Sequence, residues 1–152
     1  MSSEDNNKAI IDHRVHFTLN CGANSCPPIM QYTPEKLDEE LHVAAVAFCG
    51  DDANVCINDE TREICFSKLL YWYMSDFASS KMELPTIIAQ YLTLEKRNKM
   101  NEVIQSGKYS IHFLNYDWST PYIINTRVYT KGDLLSKSLF PFFRNPPPLY
   151  KV

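Results

Sequence analysis

The sequence predicts an α+β domain: a small, mainly antiparallel sheet packed with three or four helices. Three observations lead there. Two short β-rich runs flank the polar turn Asp59-Glu60-Thr61, helix-spaced apolar residues recur between Thr33 and Gly107, and a further alternating run comes at Tyr109 to Asn115. A chain of 152 residues, 45% of them apolar, fits one domain with a real core.

Residues 1–11 are small, polar and acidic, and are expected to be disordered. Val15 to Leu19 alternates apolar and polar, which predicts a half-buried strand. Asn20 to Tyr32 reads as an ordered loop broken by Gly22, Asn24, Pro27 and Pro28. A helix comes next, with Thr33 as N-cap, Pro34 at its first position and Glu35, Asp38 and Glu39 near the positive end of its dipole. Leu37, Leu41, Ala44, Ala45 and Phe48 form its apolar face, and Gly50 ends it. Val55 to Asn58 and Glu63 to Phe66 predict a hairpin. Ser67 caps a helix through Leu69, Leu70, Trp72, Tyr73 and Phe77, apolar on nearly every side and so expected to lie deep. Leu84-Pro85-Thr86 opens another, carrying Ile87, Ile88, Tyr91 and Leu92. Thr93 or a nearby residue begins the last, where Leu94, Met100, Val103 and Ile104 keep helical spacing until Gly107. Tyr109 to Asn115 predicts the closing strand. The domain is thus expected at 12–120. Beyond it lies a Pro- and aromatic-rich tail at 121–152, in which Pro146 to Pro148 forbid a helix.

Net charge is −3 and the basic residues are scattered, so no nucleic-acid surface is expected. No apolar run approaches the roughly eighteen residues of a membrane span. The start, MSSEDNNK, lacks the apolar stretch of a signal peptide, which points to the cytosol or nucleus. Five cysteines, an odd number without a secretory signal, are expected to be reduced. Cys49, Cys56 and Cys65 lie in apolar runs and read as small hydrophobes. No cofactor is expected.

Chemistry concentrates in Asp12 to Pro28. An imidazole and a thiol sit five residues apart beside a forced turn, so Cys21 is the candidate nucleophile and His16 its base. Asp117 would orient the imidazole, and Asn20 or the backbone N–H near Gly22 would face an oxyanion. Against this, positions five apart in a strand point to opposite faces, so the loop alone would have to bring the pair together. The plainer reading has His16 hydrogen-bonded in the sheet and Cys21 packed. A metal site from His16, Cys21 and Cys26, with His13 as a further ligand, does not match the close pairing and fourfold ligation usual for structural zinc. A Cys21–Cys26 disulfide across the loop would regulate or staple. Tyr71, Trp72, Tyr73 and Phe77 read as core. His42 falls on the charged side of its helix, His112 is a second candidate functional histidine, and Asp117 serves equally well as a turn cap.

Four motifs carry a resemblance: D-x-R-V-H-F-x-L-N-C-G-x-x-S-C-P-P at Asp12 to Pro28, Y-T-P-E-x-L-D-E-x-L at Tyr32 to Leu41, W-Y-x-x-D-F at Trp72 to Phe77 and N-Y-D-W-S at Asn115 to Ser119. In order and spacing they resemble the domain of unknown function 547 family over about 12–120. The family's N-terminal helix, with a motif like F-W-I-N-x-Y-N-A, has no counterpart here, and Ser119 is followed by Thr120 and Pro121 rather than Leu and Asn. The resemblance therefore implies an incomplete copy or fragment. It implies an uncharacterised function, with a distant likeness to papain-like and transglutaminase-like cysteine hydrolases. The alternative is a non-catalytic interaction or scaffold module, whose protein partner would dock on the apolar face left by the missing helix or on the aromatic tail.

Overall fold

The computed structural model describes residues 12–120. The expected disordered N-terminus at 1–11 and the tail at 121–152 lie outside them.

The first element corrects the expected strand. His13–Phe17 is a 3-10 helix, not a strand. Asp12 starts it by accepting a hydrogen bond from the Arg14 backbone N–H (3.0 Å), and Val15 N–H donates to Asp12 C=O. The Arg14 guanidinium folds back onto the Asp12 carboxylate (2.6 Å) and reaches Asp38 (2.7 Å), tying this turn to the next helix. Helical geometry buries the neighbours His16 and Phe17 together, whereas a strand would send them to opposite faces. A five-residue alternation is too short to distinguish the two, and local side-chain capping decides it.

Thr33 and Pro34 open the expected helix through a 3-10 turn, Pro34–Lys36, that runs into α1, Leu37–Gly50. Thr33 does not cap with its side-chain oxygen. Its backbone N–H and hydroxyl instead donate to the Glu40 carboxylate (2.7 and 3.2 Å). At the far end the ammonium of Lys96 donates to the carbonyls of Cys49 and Gly50 and pairs with Asp52. That places a cation on orphan carbonyls at the negative end of the dipole.

The hairpin forms as predicted, β1 at Val55–Asn58 antiparallel to β2 at Glu63–Phe66. Asn58 Oδ1 shapes its turn by accepting from the backbone N–H groups of Glu60 and Thr61. β3, Ser110–Phe113, lies parallel to β2, which gives the order β1-β2-β3. A parallel return needs a long crossover, and the helical segment between β2 and β3 provides it. Val55, Ile57, Ile64, Phe66 and Ile111 share the buried face of the sheet, while Cys56, Cys65 and His112 share the other. Phe48 of α1 joins the same core cluster. The α+β class and the small sheet packed with helices stand.

Ser67 caps α2, Lys68–Trp72, by accepting from Leu69 N–H. The helix breaks at Tyr73 and resumes as α3, Met74–Phe77. Leu69, Leu70 and Phe77 are buried, but Tyr71, Trp72 and Tyr73 are 51%, 43% and 42% exposed, so the expected deep burial fails along this edge. The break at Tyr73 turns three consecutive aromatics outward. α4, Leu84–Ile88, starts with Pro85 in its first turn and continues as a 3-10 turn to Tyr91. α5, Leu94–Gln105, is capped by the Thr93 hydroxyl and stops at Gly107, whose φ of +75° suits glycine. It buries Met100 and Val103, while Leu94 stays exposed in its first turn.

Candidate functional site

The loop after the 3-10 helix is built by its own side chains. Asn20 Oδ1 accepts from Gly22 N–H (2.7 Å), and its amide donates to the Pro27 carbonyl. Gly22 turns the chain at φ +87°, a left-handed conformation that a side chain would strain. Cys26 N–H donates to the Ala23 carbonyl (3.0 Å), and Cys21 N–H donates to Cys26 Sγ (3.2 Å). The result brings the two sulfurs to 3.2 Å. The Tyr116 hydroxyl sits beside both, 3.2 Å from Cys26 Sγ and 4.0 Å from Cys21 Sγ.

The segment after β3 holds this loop in place. Asn24 N–H donates to the Ser119 carbonyl (2.8 Å), Ser25 N–H to the Asp117 carbonyl (3.2 Å), and Asp117 N–H to Ser25 Oγ (2.9 Å). The Asp117 carboxylate accepts from the Ser119 backbone and hydroxyl (2.9 and 2.6 Å) and from the Asn24 amide (2.8 Å). These bonds, led by the Ser119 hydroxyl, hold its pKa below the ordinary carboxylate value.

His16 belongs to a different set. It is buried, and its Nε2 lies 2.8 Å from Asp76 Oδ2. Its ring stacks on Tyr73 at 4.1 Å between centroids, with Phe77 behind it at 5.5 Å. With Asp76 accepting, Nε2 carries the proton, and the buried Nδ1 has no hydrogen-bond partner among the described residues. The carboxylate expected on His16 was Asp117. Asp76 takes that place, because Asp117 is committed to the loop. Among the described residues neither thiol has an imidazole as hydrogen-bond partner.

The other candidate residues have partners of their own. His13 Nε2 pairs with the Tyr91 hydroxyl (2.8 Å). His112 is exposed beside Ser110 Oγ (3.0 Å) and Glu63. His42 is exposed on α1. Among the described residues no three His, Cys, Asp or Glu side chains are grouped to hold a metal ion, so His16, Cys21 and Cys26 do not assemble as ligands. All five cysteines are free thiols.

Their environments separate them. Cys21 is exposed, and the hydrogen bond from Cys26, followed by one from the Ala23 backbone, lowers its pKa. Burial raises Cys49 far out of the reactive range, and it raises Cys65 as well. Burial and the hydrogen bond to Cys26 raise Tyr116, so its hydroxyl stays protonated and can donate to sulfur. Sequence reasoning missed Asp76 and Tyr116. The signals were an acid inside the apolar run from Leu69 to Phe77, and a phenol next to the candidate Asp117.

The class these features define is an α+β domain with a loop-borne dithiol and a separate, aromatic-stacked histidine–aspartate pair. Residues 3–49 match the model of a family described as "Protein of unknown function, DUF547". That segment contains the 3-10 helix, the thiol loop and nearly all of α1. The motifs at Trp72 to Phe77 and Asn115 to Ser119 lie beyond it. No curated protein and no solved structure matches the chain. No helix among the described residues is long and apolar enough to cross a membrane.

Proposed function

We propose that this chain, carrying part of the DUF547 domain, serves as a non-catalytic interaction or scaffold module. The observation that carries the reading is an aromatic surface. Trp72, Tyr116 and Trp118 pack against one another with tilted rings, centroids 4.9, 5.4 and 4.6 Å apart, and Trp118 is 65% exposed. Tyr71 and Tyr73, beside Trp72 in the chain, are also about half exposed, Tyr71 against Phe113 and Tyr73 on His16. Large aromatics left at a surface are the residues that anchor protein–protein interfaces. A protein partner is therefore the occupant this surface fits. A cytosolic or nuclear setting belongs to the reading, supported by five free thiols.

A cysteine-hydrolase-like site using Cys21, His16 and Asp117, with Asn20 or Gly22 supporting an oxyanion, ranks second. The exposed, acidified Cys21 favours it. The engagement of His16 with Asp76 and of Asp117 with Asn24 and Ser119 weighs against it.

The test is site-specific photocrosslinking in cells. A crosslinker at position 72 should capture one discrete protein partner. One at His42, exposed on α1, should not. Equal, diffuse capture from both positions, or hydrolysis of ester or amide substrates that is lost in Cys21→Ala, would overturn the reading.

A further inference from the structure

The thiol loop has a property that an interaction module does not require and that is independent of that role. Two sulfurs at 3.2 Å are in contact, and a disulfide needs them to close to about 2.05 Å. The loop already holds both cysteines: Asn20 braces its two ends, Gly22 makes the turn, and Cys21 N–H points at Cys26 Sγ. The outer sulfur, on Cys21, is exposed, while Cys26 is half-buried behind it. That is the arrangement of an attacking thiol with a resolving thiol next to it. Cys56 and Cys65 offer a contrast within the same molecule. They face each other across the β1–β2 ladder, but among the described residues no hydrogen bond joins their sulfurs, and burial disfavours the Cys65 thiolate.

We infer that Cys21 and Cys26 form a reversible redox site, oxidised by hydroperoxides to an intraloop disulfide and returned to dithiol by small thiols. The chemistry balances without a cofactor. The Cys21 thiolate attacks one oxygen of hydrogen peroxide, the O–O bond breaks, and hydroxide leaves to take up the proton that Cys21 gave. The sulfur is then a sulfenic acid. Cys26 sulfur attacks Cys21 sulfur, the S–O bond breaks, and the departing hydroxide takes the Cys26 proton. Two thiols and one peroxide thus become one disulfide and two waters. The Tyr116 hydroxyl, 3.2 Å from Cys26 Sγ and 4.0 Å from Cys21 Sγ, lies beside both sulfurs, and its surroundings change when they close into a disulfide. Because the Tyr116 ring packs against Trp72 and Trp118, the change is reported by tryptophan fluorescence.

The test uses the full reduced chain treated with equimolar hydrogen peroxide, quenched in acid, alkylated and mapped by peptide mass spectrometry. The Cys21–Cys26 peptide should lose two hydrogens about tenfold or more faster than the Cys56 and Cys65 peptides change. Cys49 should stay unmodified, which reports that the fold is intact. Dithiothreitol should reverse both the mass change and the accompanying fluorescence shift. In Cys26→Ser, Cys21 should instead stop at a sulfenic acid that dimedone traps. Oxidation of Cys21 and Cys26 no faster than Cys56 and Cys65, or a sulfenic acid persisting on Cys21 in the unaltered chain, would overturn the inference. The first of these is read without any variant, so misfolding of Cys26→Ser cannot mask it.

Discussion

At the scale of single residues, partner choice explains more than residue type. His16 and Cys21 are five positions apart, yet the imidazole pairs with Asp76 and the thiol with Cys26. Removing the Asp76 carboxylate would leave His16 buried with neither ring nitrogen satisfied. Asp76→Ala should therefore cost about 1–3 kcal/mol in urea denaturation, and Asp76→Asn, which keeps an acceptor oxygen, clearly less. Acid provides a second test. Asp12 beside Arg14, and Asp117 beside Ser119 and Asn24, both have pKa values below the ordinary 3.8. A depressed carboxylate contributes stability that is complete above the unfolded value and is lost as pH falls through the folded one. Urea midpoints taken from about pH 5 down to about pH 2 should hold until the ordinary carboxylate value and then drop, with a shallower drop in Asp117→Asn. The candidate thiol and histidine were legible in the sequence because their residue types are distinctive. Their partners were not, since Asp76 and Tyr116 are 60 and 90 positions away from His16 and Cys26 and only the fold brings them near.

At the scale of elements, the hairpin and the caps of α2 and α5 were legible because each is encoded within a few residues: Asn58 in the turn, Ser67 and Thr93 at helix starts. The 3-10 helix at His13–Phe17 was not, because the alternation there mimics a strand while the Asp12–Arg14 contact favours a turn. The broken helix at Tyr73 hid the aromatic edge for a similar reason: apolar composition does not say which residues face out. Lys96 joins α5 to the end of α1 by donating to two orphan carbonyls. Lys96→Met, which keeps the stem and removes the charge, should lower stability by about 1–2 kcal/mol in thermal or urea unfolding. Gly22→Ala meets no atom within 4 Å of the added carbon, so its cost is confined to the left-handed backbone. It should be about 1–2 kcal/mol, with faster alkylation of both loop thiols as the turn opens.

At the largest scale, one core among the described residues joins the sheet to its helices. Ile64 on the central strand is fully buried and pairs with Ile57 on one side and Ile111 on the other. Ile64→Ala should cost about 2–5 kcal/mol, the largest loss among these substitutions, in the same urea assay. The class and the main helices, α1 and α5, were legible from periodicity. The parallel placement of β3 beside β2 was not, since strand pairing across a long crossover leaves no local signal. That placement is what carries Tyr116 and Asp117 to the thiol loop, so the site depends on the global topology as well as on the loop's own sequence.

The separation of the loop thiols from the buried imidazole is tested most directly by the rate of Cys21 alkylation with iodoacetamide as a function of pH, with unlabelled Cys49 as the check on folding. The structure predicts that the midpoint of this profile is unchanged in His16→Gln and moves upward in Cys26→Ala, where the neighbouring hydrogen-bond donor is lost. A midpoint that rises in folded His16→Gln and stays put in Cys26→Ala would show that the imidazole governs Cys21, and would contradict it.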